Sequence, residues 1–294
     1  MPAELIDGRA IAQRVRAGVA TRVAKLSGMG VKPGLAVVLV GEDAASAVYV
    51  RAKGKACEEA GMHSITVRLP ADTAEADLLA RIGHMNVDPA IHGILIQMPL
   101  PRQIDPEKII RSIDPSKDVD GFHPVNAGKL LTGDRDGFVP CTPAGIQIML
   151  AESGVKTPGK TCVVIGRSNI VGKPMAALMM QDNDQANCTV TVCHRHTVDL
   201  RSHTRNADIL IVAAGRPRIV TADMVKPGAV VVDVGMNRVP DSHARGGSRL
   251  EGDVDFEAVR QVASKLTPVP GGVGPMTIAM LMANTVRSAE MRAG

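Results

Sequence analysis

Leu35-Ala-Val-Val-Leu-Val40 is an unbroken apolar run closed at its two ends by Gly34 and Gly41. A strand that shows apolar side chains to both of its faces has no solvent side. It belongs in a parallel sheet covered by helices above and below. A strand at Ser64 to Leu69 follows, and Gly93-Ile-Leu-Ile-Gln-Met-Pro99 is another buried run, ended by Pro99 and Pro101. The segments between have helical character. Ile11, Val15, Val19 and Val23 recur every four residues over 8–27. Further helices are expected from about Asp43 to Gly61 and from Asp72 to Met85, the latter capped by Asp72 or Thr73. Asp105-Pro-Glu opens a shorter one to about Ile113. Strands and helices alternating at these lengths imply β-α-β units and an α/β fold.

Residues 114–142 break the pattern with Asp, Gly and Pro and little periodicity, and a loop of that length is usually functional. Thr142-Pro-Ala-Gly then opens a connecting helix to about Ser153. A second series of strands follows at Thr161 to Ile165, Thr189 to Cys193, Asp208 to Val212 and Ala229 to Val234. Gln181 to Asn187 and Asp241 to Ser248 are polar surface loops, and an apolar helix from about Met276 to Glu290 closes the chain. Two series within 294 residues suggest two domains. The expected division is 1–142 with 276–294 against 143–275.

Several functional classes can be set aside. A net charge of +4 with 1% aromatic residues offers no basic, base-stacking surface for nucleic acid. No apolar run is long enough for a bilayer, and the start lacks a basic segment with an apolar core, so neither membrane nor export is expected. Five cysteines without a CxxC pair suggest free thiols in a reducing cytoplasm. The eight histidines are dispersed and no metal is expected.

Certain residues stand out from this background. Tyr49, the only tyrosine, lies four positions before Lys53, so the two share one helix face just beyond the carboxyl end of a strand. Open α/β sheets bind ligands there, although a tyrosine beside a solvated lysine has the same spacing. Gln97 interrupts an apolar run, and a buried amide needs a partner; Lys53 is the candidate. In Lys117-Asp118-Val-Asp120-Gly a carboxylate could accept two N–H bonds from an amidine-like ring edge, or the two Asp residues could simply form turns. Gly166-Arg167-Ser168-Asn-Ile-Val-Gly172 follows a strand and opens a helix, which suits a dinucleotide pyrophosphate as well as a purely structural turn. It departs from GxGxxG, with Ser168 in place of the second glycine. Where NAD-preferring sites carry an acidic residue for the ribose, the next strand ends at Arg195, so Arg167 and Arg195 favour NADP. Pro270-Gly271-Gly272-Val-Gly-Pro275 could form a rigid loop that lets backbone approach a ligand, or a helix entry. Cys141 has no evident orienting base and is not expected to be a nucleophile.

Together these stretches resemble the bifunctional methylenetetrahydrofolate dehydrogenase/cyclohydrolase family. They are Ser46 to Lys53, Gly93 to Pro101, Lys117 to Gly121, Pro140 to Pro143, Gly166 to Gly172 and Pro268 to Thr277, in the family's order and over nearly the whole chain. The resemblance implies an N-terminal α/β substrate domain and a C-terminal Rossmann-type NADP domain, with the last helix packing back on the first domain. It also implies a cleft between them and a homodimer formed through the cofactor domains. It makes Lys53 the catalytic lysine, Tyr49 its partner against the folate ring, Gln97 the amide that contacts the lysine and Asp120 the pterin-binding carboxylate. Pro270, Gly271 and Gly272 would face the tetrahydrofolate substrate. Gly166, Arg167, Ser168, Arg195 and Met236 would contact the cofactor. The polar loops at 181–187 and 241–248 look longer than the family's and should lie away from the cleft.

Three rivals remain. A short-chain dehydrogenase also uses a Tyr-x-x-x-Lys pair, but its glycine-rich loop precedes that pair, whereas Gly166 follows it here. A two-domain NADP dehydrogenase of the shikimate type has this domain order yet gives no reason for Lys53, Gln97 and Asp120 together. A non-catalytic folate-binding module would require a degraded site.

Overall fold

The computed structural model describes residues 1–241 and 247–293. In chain order the first elements are β1 (Glu4–Leu5), α1 (Gly8–Gly28), β2 (Gly34–Val40), α2 (Ala44–Glu59), β3 (His63–Leu69), α3 (Glu75–Val87), β4 (Gly93–Ile96), α4 (Pro106–Ser112), α5 (Pro124–Thr132) and α6 (Cys141–Glu152). Then come β5 (Thr161–Ile165), α7 (Gly172–Met179), β6 (Thr189–Cys193), α8 (Leu200–Thr204), β7 (Ile209–Val212), β8 (Val230–Asp233), β9 (Asn237–Pro240), β10 (Ser248–Glu251), α9 (Phe256–Val259), β11 (Lys265–Leu266) and α10 (Val273–Ala293).

The chain forms two compact units, Gln13–Cys141 with Ile278–Gly294, and Met1–Ala12 with Thr142–Thr277. The first unit is built on a parallel three-stranded sheet in the order β3-β2-β4. Every residue of β2 is buried. Ala36, Val38 and Val40 pack with Leu78, Ile82 and Ile109 on one face, while Leu35, Val37 and Leu39 are buried on the other. That two-sided burial is the physical reason for the continuous apolar run. The last helix packs on this unit: Asn284 Nδ2–H donates to Val119 O at 2.8 Å and Ser288 Oγ–H to Ser116 O at 2.8 Å.

The second unit is a parallel six-stranded sheet, β1-β11-β8-β7-β5-β6, with an antiparallel β9–β10 hairpin beside it in sequence. Its core joins Val163, Ile165, Leu210, Val212, Val231 and Leu266.

Three expectations change. Met1–Ala12 groups with the second unit and not with the first, because β1 pairs in parallel with β11 (Glu4 opposite Lys265). The segment 114–142 holds a helix, α5, with Pro124 in its first turn and Gly133 in the left-handed conformation at its end (φ 77°). Helix α3 starts later than expected, after Ala74, and Asp72 and Thr73 do not cap it. Thr73 instead bonds back to Pro70 O at 2.7 Å. Of the polar loop at Asp241–Ser248, residues 242–246 lie outside the described residues.

Candidate active site

In the first unit β2 is the central strand, with β3 on one side and β4 on the other, so the chain reverses its direction of winding there. The carboxyl ends of β2 and β4 therefore flank the position where α/β sheets open a ligand crevice. Helix α2 follows β2, and its Asp43 cap accepts from Ser46 N–H at 2.7 Å. One and two turns into the helix stand Tyr49, 41% exposed, and Lys53, half-buried. Gln97 directly follows β4 and continues its pairing, with N–H donating to Val38 O at 2.8 Å.

Lys53 Nζ donates to Gln97 Oε1 at 3.0 Å. The other end of the same amide is spent, since Gln97 Nε2–H donates to Met98 O at 2.9 Å. That second bond turns the amide oxygen toward the lysine. A neutral acceptor thus fixes the amine without bringing another carboxylate beside it.

The loop at 114–123 carries Asp120 and is anchored from several sides. Lys117 is 1% exposed, and its Nζ donates to Met85 O at 2.8 Å and Asp88 O at 2.7 Å, capping the carboxyl end of α3. Asp118 is buried and accepts from Phe122 N–H, His123 N–H and Asn126 Nδ2–H, at 3.2, 2.8 and 2.8 Å. Gly121 takes φ 72°, and a Cβ there would stand 2.7 Å from Pro140 N. These anchors leave Asp120 little freedom. Although the residue keeps some exposed surface, burial of its carboxyl pushes the pKa up to about 6; Lys53 pulls it back and Asp118 raises it. Cys141 Sγ is buried, 3.4 Å from Val119 O and 3.8 Å from Asp120 Oδ1. Burial and the Asp120 charge drive its thiol pKa well above the usual value, the opposite of an activated nucleophile.

Lys117 has an architectural role, since both of its bonds go to backbone carbonyls at the end of α3. Replacing it with Met leaves the buried Met85 carbonyl and the partly buried Asp88 carbonyl without this donor. Lys117→Met is expected to cost about 3 kcal/mol of stability, read as a lower denaturant midpoint.

The second unit holds the remaining candidates. Its strand order puts the winding reversal at β5, between β6 and β7, and the Gly166–Gly172 loop leaves the carboxyl end of β5. Gly166 sits at φ 120°, where a Cβ would lie 2.2 Å from Ala213 O, and Gly172 packs against the Gly166 carbonyl. Ser168 Oγ accepts from Val171 N–H at 3.1 Å and Gly172 N–H at 3.4 Å, so the residue that replaces the second glycine closes the turn from within. Arg167, Ser168 and Arg195 are all exposed, and Arg195 Nε–H donates to His196 Nε2 at 3.1 Å. Met236 lies just beyond β8. Pro270, Gly271 and Gly272, expected to face substrate, belong to this unit, where Gly272 packs on Gly8 and Gly271 near the Arg9 guanidinium. The structure therefore brings Lys53 and Gln97 into contact, with Tyr49 and Asp120 in the same unit, and gathers the other candidates in the second unit.

Comparison with known proteins finds two family matches. Residues 6–120 match the tetrahydrofolate dehydrogenase/cyclohydrolase catalytic domain, and residues 140–293 match the tetrahydrofolate dehydrogenase/cyclohydrolase NAD(P)-binding domain. The bifunctional protein FolD of Bordetella avium (strain 197N) is 58% identical over 99% of this chain and 98% of its own length. The bifunctional FolD methylenetetrahydrofolate dehydrogenase/cyclohydrolase of Campylobacter jejuni superposes with a TM-score of 0.93 at 47% identity, covering 99% of both chains. The Trypanosoma brucei N5,N10-methylenetetrahydrofolate dehydrogenase-cyclohydrolase, solved with NADP cofactor and an inhibitor, gives a TM-score of 0.93 at 39% identity, again over 99% of each chain.

Proposed function

Because the chain belongs to the tetrahydrofolate dehydrogenase/cyclohydrolase family, we propose that it oxidises 5,10-methylenetetrahydrofolate with NADP. It then hydrolyses the methenyl product to 10-formyltetrahydrofolate. The observation that carries this reading is the Lys53 Nζ–Gln97 Oε1 contact of 3.0 Å at the carboxyl edge of the three-stranded sheet. A shikimate-type dehydrogenase gives no reason for that pair together with Asp120.

The donor set of the second unit fits the cofactor. The Gly166–Gly172 loop opens a helix at the winding reversal, and the exposed guanidinium groups of Arg167 and Arg195 suit a 2′-phosphate. When bound, the dinucleotide supplies a hydride acceptor; the chain supplies position. Asp120 holds the aminopyrimidinone edge of the pterin by accepting its N–H groups. Tyr49 lies against the folate ring. Loss of hydride leaves a methenyl cation shared over two nitrogens, a step that demands alignment more than proton transfer.

Hydrolysis differs. Water attacks the amidinium carbon and loses one proton; as the C–N bond then opens, the remaining hydroxyl proton passes to the departing nitrogen and the formyl group forms. Lys53, held by Gln97, accepts the proton that water loses on attack. The test is direct: the protein is mixed with methylenetetrahydrofolate and NADP, and NADPH and the methenyl chromophore are followed together. NADPH formation with methenyl accumulation and decay supports the reading, whereas NADPH from shikimate instead would overturn it.

Arg195→Ala is expected to raise the Michaelis constant for NADP about tenfold or more while changing that for NAD little. Equal changes for the two cofactors would remove Arg195 from the 2′-phosphate. We also infer a cytoplasmic homodimer paired through the second unit. Its sheet ends at β6, where Val192 is 38% exposed, and light scattering in solution reads the assembly mass directly.

A further inference from the structure

Two carboxylates of the second unit are buried at the carboxyl edge of its sheet, Asp233 at 3% exposure and Asp253 at 0%. Asp233 ends β8. Its Oδ1 accepts from the N–H groups of Gly235 and Asp253, both at 2.9 Å, and its Oδ2 from Val254 N–H at 3.0 Å. Asp253, held by that grip, reaches onward. Its Oδ2 accepts from Ala214 N–H at 2.7 Å and Gly215 N–H at 2.8 Å. Its Oδ1 accepts from Arg216 N–H at 3.0 Å and Asn237 Nδ2–H at 2.7 Å.

Three consecutive backbone N–H groups aimed at one point form a concavity suited to an anion. Here the anion is the protein's own. The local sequence accommodates it: a Cβ on Gly252 would fall 1.8 Å from Asp233 Oδ2, and one on Gly235 would fall 2.4 Å from Asp253 Oδ1. The segments so tied are those next to the candidate cofactor contacts. Ala213, immediately before the gripped loop, packs its carbonyl against Gly166, and Asn237 directly follows Met236.

We propose that Asp253 is a positioning residue for the dinucleotide. Its carboxylate sets the conformation of the Ala214–Arg216 loop and of the Met236–Asn237 segment, and by filling the amide concavity it leaves the Gly166–Gly172 loop as the place for the pyrophosphate. The assignment rests on reading this unit as the NADP-binding one.

The test uses the full chain. In Asp253→Asn an amide NH2 faces N–H donors that had faced an oxygen, so at least one pair of bonds turns repulsive. The dissociation constant for NADP, measured by calorimetry, is expected to rise about tenfold or more, while hydrolysis of supplied methenyltetrahydrofolate keeps its kcat and KM. Asn237→Ala removes one of the four bonds and is expected to weaken NADP in the same direction by a smaller factor; it carries the test alone if the first variant does not fold. NADP binding that is unchanged in Asp253→Asn overturns the assignment, as does hydrolysis that falls in step with NADP affinity. Unchanged NADP binding by Asn237→Ala, where that variant stands alone, does the same. A wild-type chain that itself fails to bind NADP sinks the cofactor reading and this assignment with it, and that result is distinct from the others.

Discussion

Lys53→Met is expected to remove the cyclohydrolase activity, with kcat falling by about two to four orders of magnitude, the usual contribution of a positioned base. Methionine keeps most of the lysine stem, so the packing of α2 changes little while the amine disappears. Gln97 Oε1 loses its 3.0 Å donor. Water must then surrender its proton to solvent. The dehydrogenase step needs no proton acceptor, so its activity should fall less, and by an amount that reports only lost alignment. The two rates are measured on one preparation, methenyl decay for hydrolysis and NADPH appearance for oxidation. Hydrolysis at the wild-type rate in this variant would exclude Lys53 as the base.

Most strands were legible, those with two-sided burial from their apolar runs and the partly exposed β3 and β6 from their β-branched residues. β2, β5 and β7 announce themselves because neither face meets water, and their observed bounds lie within a residue of the apolar runs. β1 and β11 have two residues each, too few for a period, and only their pairing reveals that the first twelve residues belong to the second unit. Helix α5 was hidden by the Gly and Pro content around it, although Pro124 at its start and Gly133 at its end mark the two termini that such residues favour.

The site divides along a similar line. A polar amide inside an apolar run demands a partner, so the Lys53–Gln97 contact could be argued from residue types alone. The anchors of Asp120 could not. Lys117 bonds to the carboxyl end of α3, and Asn284 reaches Val119 O from α10, across gaps in sequence that no local spacing encodes. Asp253 likewise binds N–H groups 37 to 39 residues away. Backbone partners have no sequence signature, and supports of this kind emerge only from the folded chain.

Asp120→Ala is expected to damage both reactions together, because both act on the same pterin. Loss of a charge-assisted pair of hydrogen bonds should lower kcat/KM for each by about 10². This contrasts with Lys53→Met, which separates the activities, and with Arg195→Ala, which acts through the cofactor. The wild type has a pH signature here as well. Burial raises the Asp120 pKa from 3.8 to about 6, so the carboxylate that accepts the ring N–H groups is lost as pH falls through about 6. KM for the folate should therefore climb below that point, and Asp120→Ala should flatten the climb. Stability moves the other way. A folded-state pKa above the unfolded one means that the folded chain holds the proton more tightly between about 4 and 6, so raising the pH through this window costs stability. The cost is on the order of 1–3 kcal/mol, and the alanine variant should lack it, gaining stability over wild type at pH 7 while losing catalysis. Denaturant melts and steady-state kinetics on the same two proteins read both effects. A variant that is less stable than wild type at pH 7, or one that keeps its folate KM, would leave Asp120 as a turn residue and nothing more.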